Sequence, residues 1–201
     1  MSTRAIAGVA AAAALALAIP AAAAEAPTVR ANPLVVGTLG QVTLSGTSPR
    51  PSVSIEARDC ESDFFRLVGS TQAIAGGGWT YLAGVSSNTS FRARSGDAVS
   101  RAVVVRRRAS VDLVRRGSTR LFVANVHGSG WYILGRRIRL ERLTDDGWVL
   151  VGRAKLRKHP IIGRATATFR VQRKGLILRA FLPEIAAKPC LAAAASPPVR
   201  S

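Results

Sequence analysis

The sequence contains few of the side chains that carry out catalysis or bind metals. Its 201 residues include two histidines, two cysteines and 11 acidic residues. His127 precedes a glycine and His159 precedes a proline, and neither lies in a Gly-x-Ser-x-Gly motif or beside an acid motif that would orient a catalytic base. The histidines and cysteines also lack metal-ligand spacings such as Cys-x-x-Cys. We therefore predict a non-enzymatic protein with no metal site and no cofactor.

A long apolar run occurs only at the N-terminus. Arg4 supplies a positive charge, Ile6–Ile19 is apolar and rich in alanine, and Pro20 ends the run before several alanines that offer a cleavage site. An uncleaved membrane anchor is the alternative, but spanning a bilayer takes about 20 strongly apolar residues. The sequence therefore predicts a cleaved signal peptide over residues 1–26, no transmembrane segment after cleavage, and a secreted or extracytoplasmic protein that could associate with the cell wall.

Cysteine is nearly absent, with only Cys60 and Cys190 in the chain. In an oxidising compartment an even number of cysteines most often pairs. A reactive thiol is the alternative, and it would require a nearby histidine. We predict a disulfide between Cys60 and Cys190, which would close a loop of about 130 residues.

Acidic residues are too few to balance the basic ones. The chain has 29 lysines and arginines, a net charge of +18 and a pI of about 11.8. A surface of this charge attracts polyanions. Solubility alone needs a net charge of only about 2–8 in a small domain. Two interpretations remain open: a solvated basic surface, or a surface that binds an anionic polymer.

The best candidate for a basic binding surface lies on two neighbouring predicted strands. Arg153, Lys155 and Arg157 alternate along the chain and should lie on one strand face. Arg137 and Arg139 alternate on the strand before the Thr-Asp-Asp-Gly turn, which is typical of a hairpin. Together they predict one continuous cationic face whose binding weakens with salt. No aromatic side chain interleaves with this row, so specific nucleic-acid binding is not expected.

Aromatic residues make up only 5% of the chain. Each of the three tryptophans follows a glycine. Trp79 and Trp148 begin or end predicted strands, and we expect both to pack in a core. Trp131 and its neighbour Tyr132 lie in a polar segment and are the candidates for stacking on a sugar or base.

What is abundant is the alternation of apolar and polar residues. VSIEAR, RRIRLERL and ATFRVQR each place apolar side chains on one face and polar side chains on the other. This period of two indicates half-buried strands. Glycine-rich turn segments such as AGGGW and TDDGW separate them, and no long helical stripe appears. The sequence therefore predicts the all-β class.

The sequence also repeats itself at an interval of about 83–96 residues. The matching segments, in chain order, are VTLSG with ANVHG, VSIEA with IRLER, FRLVGS with WVLVGR, TSFRA with LILRA, and AVSRAVVV with AASPPV. Each unit has the size of an immunoglobulin-like sandwich. We predict one such domain over residues 27–108 and a second, with a C-terminal tail, over residues 109–201, joined at Arg106–Arg108.

These segments resemble those of secreted tandem Ig-like β-sandwich proteins of actinobacterial type. Units of that kind combine a strand ending in Ser-Gly, a Gly-Trp turn and a strand of the form N-T-x-[YF]-R-A. Asn88, Thr89, Phe91, Arg92 and Ala93 match the last motif. The resemblance covers Pro33 to about Leu191, and the second unit departs from it with LILRA. It implies two tandem Ig-like antiparallel β-sandwiches and says little about activity.

For function, the sequence favours a structural or adhesive role at the cell envelope. The alternative is a binding module for an anionic polymer or a carbohydrate, which would use the arginine-rich sheet face. The expected partners are anionic cell-envelope polymers or another surface protein.

Overall fold

The structure is a computed structural model that describes residues 25–37, 40–117, 120–128, 133–185 and 190–201. Strands dominate these ranges, and the predicted all-β class is confirmed. No helix there has the length and apolar character needed to span a membrane. Nearly all of the predicted signal peptide lies outside the described residues.

The strands are β1 (Arg30–Asn32), β2 (Val35–Val36), β3 (Gln41–Thr47), β4 (Ser52–Asp59), β5 (Arg66–Gln72), β6 (Gly78–Gly84), β7 (Thr89–Ser95), β8 (Ala98–Val99), β9 (Val103–Arg107), β10 (Ser110–Arg115), β11 (Leu121–His127), β12 (Arg137–Thr144), β13 (Gly147–Lys155), β14 (Arg157–Lys158), β15 (Arg164–Arg170), β16 (Ile177–Leu182), β17 (Ala194–Ala195) and β18 (Val199–Arg200).

Strands β1–β9 form the first sandwich. One sheet has the order β1-β3-β6, and the other has the order β2-β9-β7-β4-β5 with β8 also paired to β7. All pairs are antiparallel except β2 with β9, which is parallel. Most neighbouring strands in each sheet are not consecutive in sequence, because the chain crosses between the two sheets. This is typical of an Ig-like sandwich.

Strands β10–β18 form the second sandwich. Its sheets have the orders β10-β11-β15-β14 and β13-β12-β16-β17, and β18 also pairs with β16. The C-terminal residues were expected to form a tail, and this is wrong. Val199 pairs with Leu178, and the backbone N–H of Ser201 donates to Leu176 O at 2.9 Å. Residues 199–201 therefore extend the sheet along β16.

Buried apolar side chains form two separate clusters, one in each sandwich. The strand alternation produces them directly: Val53 and Ile55 on β4 are 0% exposed, and Ile138 and Leu140 on β12 are at most 1% exposed. The chain passes from the first cluster to the second between Val105 and Ala109. Each sandwich thus buries its own apolar faces.

The matching sequence segments occupy corresponding strands. The strand pairs are β3 and β11, β4 and β12, β5 and β13, β7 and β16, and β8–β9 with β17–β18. The match extends to local irregularities, because the register shifts between Ile55 and Glu56 on β4 and between Leu140 and Glu141 on β12. Shared bulges of this kind are structural features rather than defects. The repeat is therefore present in the backbone as well as in the sequence.

The junction between the sandwiches is closed by the segment before β17. The predicted disulfide is confirmed: Cys60, just after β4, is bonded to Cys190, with Cα atoms 5.1 Å apart. The N–H of Asn88 donates to Cys190 O at 2.8 Å, and the N–H of Ala192 donates to Arg107 O at 2.8 Å. A covalent bond and backbone hydrogen bonds therefore cross the junction side by side.

The arginines at the junction are also engaged. Arg106 forms an ion pair with Glu184, and Arg108 makes a parallel bridge with Ala192. Arg107 is only 8% exposed, and its burial lowers its pKa. Asn88, which begins the Asn-Thr-Ser sequon, is 9% exposed and accepts the N–H of Arg107 at 2.7 Å. These contacts assign the triple arginine and Asn88 to the junction.

Removing the disulfide should destabilise the protein substantially. The bond joins residues 130 positions apart, and closing a loop of that size restricts the unfolded chain by about 4–5 kcal/mol in the chain-entropy model. We expect Cys60→Ser with Cys190→Ser to lower the free energy of unfolding by about 2–5 kcal/mol, measured by urea titration. Added reductant should bring the wild type to the variant's midpoint and leave the variant unchanged. Equal midpoints without reductant would contradict the expectation.

Candidate functional site

The outward side of the sheet that contains β12, β13 and β16 carries a cluster of cations and aromatic rings. On β12, Ile138 and Leu140 are buried, so the alternating arginines point outward. On β16, Leu178 and Ala180 are 0% exposed, so the residues between and after them also point outward. We call this surface the cationic face, and it comprises Arg137, Arg139, Trp148, Arg153, Lys155, Arg179 and Phe181.

Four of its cations stand directly opposite one another across the hairpin. Arg137 pairs with Lys155, and Arg139 pairs with Arg153. Like charges directly opposite each other destabilise an antiparallel pair. In the described part of the chain, none of the four has a carboxylate within 4.0 Å. The sheet thus holds a compact group of uncompensated positive charge.

Two aromatic rings interleave with these cations. The guanidinium of Arg179 lies 4.2 Å from the ring centre of Trp148 and 5.5 Å from that of Phe181. The guanidinium of Arg139 lies 5.9 Å from the Phe181 ring centre. These distances are in the range of cation–π contacts. The expectation that no aromatic residue interleaves with the row is therefore wrong, because Phe181 comes from β16, which is distant in sequence.

The tryptophans divide between core and surface. Trp79 is 3% exposed, which confirms its expected place in the core. Trp148 was also expected in the core, and this is wrong: it is half-buried on the cationic face beside Arg179. Trp131 and Tyr132, the predicted stacking residues, lie outside the described residues.

A buried glutamate holds Arg179 in this position. The Glu141 side chain is 8% exposed. Its Oε2 accepts a hydrogen bond from Arg179 Nε at 2.9 Å, and Arg179 Nη2 lies 2.8 Å from the same oxygen in an ion pair. A charge-assisted hydrogen bond together with this ion-pair contact restricts the orientation of the guanidinium. Arg179 is thereby presented to both rings in one orientation.

The first sandwich contains the same arrangement. Glu56 accepts Arg92 Nε at 2.5 Å and Arg94 Nε at 2.6 Å, and Arg92 lies 4.1 Å from the ring centre of Phe65. Arg58 lies 5.0 Å from the same ring. The hydrogen bond from Arg94 is the main reason that the pKa of Glu56 is lowered; burial opposes this effect, and Arg92 adds to it. The glutamate–arginine–aromatic cluster is therefore duplicated with the fold.

Arg157 does not belong to the cationic face, although the alternation predicted it there. β13 ends at Lys155, and Leu156 is 1% exposed in the core, where its N–H donates to Arg136 O at 2.8 Å. The chain crosses to the other sheet at this point, and Arg157 pairs with Thr166 on β15. The predicted row thus keeps Arg153 and Lys155 and loses its last member.

Sequence reasoning missed Glu141, Arg179 and Phe181. A signal was present: in the segment LILRAFL the apolar residues Leu178, Ala180 and Leu182 alternate with Arg179 and Phe181. That pattern places arginine and phenylalanine on the outward face of a half-buried strand. What it cannot show is which strand lies beside it, so the ring could not be assigned to the basic row.

The described ranges contain no group of three or more His, Cys, Asp or Glu residues placed to hold a metal ion. The cationic face itself offers guanidinium and ammonium groups and two half-buried rings. Such groups bind phosphate, sulfate or carboxylate by charge and hydrogen bonds.

The chain matches no family model, and no curated protein matches it by sequence. Solved structures do match. The chicken interferon gamma receptor alpha chain is 10% identical, with 88% of this chain and 97% of that chain covered and a TM-score of 0.39. The human OSCAR ligand-binding domain is 15% identical, with 90% and 100% covered and a TM-score of 0.30.

A third match is the purple acid phosphatase PPD1 from yellow lupin seeds. It is 13% identical, covers 86% of this chain and 40% of that chain, and has a TM-score of 0.36. These similarities are too weak to carry a functional argument. The Ig-like assignment rests on the two sheet orders described above.

The duplicated cluster predicts a pH-dependent contribution to stability. Because the folded-state pKa of Glu56 is lowered, its ion pairs stabilise the protein fully above the ordinary carboxyl pKa of about 4.3 and are lost as the pH falls through the lowered value. We expect Glu56→Gln to reduce the free energy of unfolding by about 1–3 kcal/mol at pH 7 and by progressively less as the pH falls below the ordinary carboxyl pKa.

Urea titrations across this pH range check the expectation. Glu61→Gln is the matched control, since Glu61 is exposed and no ion pair includes it in the described part of the chain. If Glu56→Gln lowers the free energy of unfolding by the same amount at pH 7 and at pH 3, the packing of the side chain, and not its charge, accounts for the effect.

Proposed function

We propose that the protein is a secreted, non-enzymatic Ig-like protein of the cell envelope that adheres to an anionic polymer through the cationic face. The observation that carries this proposal is the pair of cross-strand contacts Arg137–Lys155 and Arg139–Arg153. A hairpin without a ligand is destabilised by like charges in these positions. An anionic polymer lying along the hairpin would neutralise all four.

The spacing of the cations suits a repeating polyanion. Alternate residues on one strand are about 6.8 Å apart, and opposite residues on neighbouring strands are about 5 Å apart. The four charges therefore form a small patch that can meet several anionic groups of one chain at once. A single small anion would engage only part of the patch.

The aromatic rings make the patch more rigid. Arg179 is held between Glu141 and the rings of Trp148 and Phe181. A side chain that is already ordered loses less conformational entropy on binding than a free arginine does. The exposed parts of the two rings could also contact a sugar ring of the polymer.

The proposed location follows from three features. The confirmed disulfide is typical of oxidising, extracytoplasmic compartments. Residues 1–26 have the composition of a signal peptide, and the sequence motifs resemble those of secreted tandem Ig-like β-sandwich proteins of actinobacterial type. Together they support an anionic envelope polymer, such as teichoic acid or an acidic polysaccharide, as the ligand.

Charge reversal on β13 tests the proposal. We expect the wild type to be retained on heparin and teichoic-acid resins and to elute only at high salt. Arg153→Glu with Lys155→Glu should elute at much lower salt. The slope of log affinity against log salt should fall by about 1–2, roughly one for each lost contact with the polymer.

A matched control distinguishes the effect of the cationic face from the effect of the protein's net charge. Arg173→Glu with Lys174→Glu makes the same change in charge on two exposed residues of the loop between β15 and β16, outside the cationic face. It should shift elution much less. Equal shifts for the two variants, or no retention of the wild type, would overturn the proposal.

A further inference from the structure

The turn between β14 and β15 exposes two adjacent isoleucines. Ile162 is 96% exposed and Ile161 is 52% exposed. We call residues 159–163 the isoleucine tip. Exposed apolar residues are common singly, but a pair at the end of a hairpin, one of them almost entirely in solvent, is an apolar group that projects from the surface.

Backbone hydrogen bonds hold the tip in one shape. The N–H of His159 donates to Arg164 O at 3.2 Å, and the N–H of Arg164 donates to Ile161 O at 3.3 Å. The N–H of Ile161 donates to His159 Nδ1 at 3.1 Å, and Gly163 O accepts the N–H of Gly128 at 3.1 Å. Gly163 adopts a φ of 78°, which favours glycine. The tip is therefore an ordered projection.

Cations flank the tip on both strands. Arg157 and Lys158 precede it, Arg164 follows it, and all three are exposed. The stretch from Arg157 to Arg164 contains no acidic residue. In the described part of the chain none of the three forms an ion pair. An apolar point surrounded by positive charge matches an anionic surface with an apolar layer below it.

We propose that the isoleucine tip inserts into the surface of an anionic lipid bilayer, with Arg157, Lys158 and Arg164 on the lipid headgroups. The two isoleucines would lie at the boundary between headgroups and acyl chains, which amphipathic elements reach at a depth of about 5–10 Å. Each cation near an anionic membrane surface increases binding about fivefold. Burial of one isoleucine increases binding by about tenfold or more.

The small size of the tip favours a bilayer over a protein partner. A stable protein interface buries about 800 Å² on each side and depends on shape complementarity. Two side chains on a narrow turn cannot supply that area. A bilayer is fluid and accommodates a small apolar projection without a preformed pocket.

The backbone of the tip is also suited to the interface. Polar backbone groups without partners are costly in an apolar layer. The N–H and the carbonyl of Ile161 and the carbonyl of Gly163 already have partners within the protein. Insertion to the depth of the isoleucine side chains would therefore not leave these three groups unpaired.

This site is separate from the cationic face. β14 and β15 belong to the sheet with β10 and β11, whereas the cationic face lies on the sheet with β12 and β16. The tip therefore adds membrane docking to polymer adhesion, and each can fail without the other.

Vesicle sedimentation tests the inference. The protein used is the chain from Pro27 onward, which contains every described strand and omits the predicted signal peptide over residues 1–26. We expect binding to vesicles of 30% phosphatidylglycerol and 70% phosphatidylcholine, and much weaker binding to pure phosphatidylcholine. Ile162→Ser should lower the partition coefficient about tenfold, and Lys158→Ser should lower it about fivefold.

The matched control is Ile74→Ser in the turn between β5 and β6. Ile74 is 74% exposed, and the neighbouring segment from Gln72 to Gly78 has no cation. Ile74→Ser should bind like the wild type, and all variants should keep the wild-type melting temperature. Ile162→Ser should also keep wild-type retention on heparin. Absent vesicle binding, equal binding to both lipid mixtures, or no effect of Ile162→Ser would overturn the inference.

Discussion

The pairing of a largely buried glutamate with one or two arginines organises the outward surface of the larger sheet in each sandwich. Glu56 binds Arg92 and Arg94 in the first, and Glu141 binds Arg179 in the second. In both, the glutamate lies at the register shift of a hairpin, which is formed by β4 and β5 in the first sandwich and by β12 and β13 in the second. Because the carboxylate is mostly shielded from water, removing the arginines that pair with it would leave a costly unpaired charge. The pair therefore determines where the arginine stands, and the arginine determines the packing of the aromatic ring.

The junction imposes the second constraint. Cys190 is bonded to Cys60 and also accepts a backbone hydrogen bond from Asn88. The same segment of the second sandwich pairs with the end of β9 in the first. Arginines 106–108, which the sequence repeat places at the junction, are engaged in these contacts. The positive charge available for binding is found farther along the chain, on the hairpin of β12 and β13.

The alternation of apolar and polar residues correctly predicted which side chains of a single strand are buried. The segments VSIEAR and RRIRLERL alternate in the structure as they do in the sequence, with Ile55 and Ile138 at 0% exposure. The alternation did not predict positions that depend on how two strands are placed relative to each other. Trp148 lies on a surface because Arg179 from β16 stands beside it, and Arg157 changes sheet because Leu156 is drawn into the core.

The sequence by itself determined the all-β class, the repeat, the cysteine pair and the outward direction of Arg137, Arg139, Arg153 and Lys155. These features follow from residue types and from a side-chain period of two, which act within one strand. Only the tertiary structure decided that Phe181 and Trp148 join those cations, that Arg157 leaves them, and that Ile162 projects from a ring of positive charge. Those outcomes depend on strand order and sheet crossing, which are set by contacts between residues far apart in the chain.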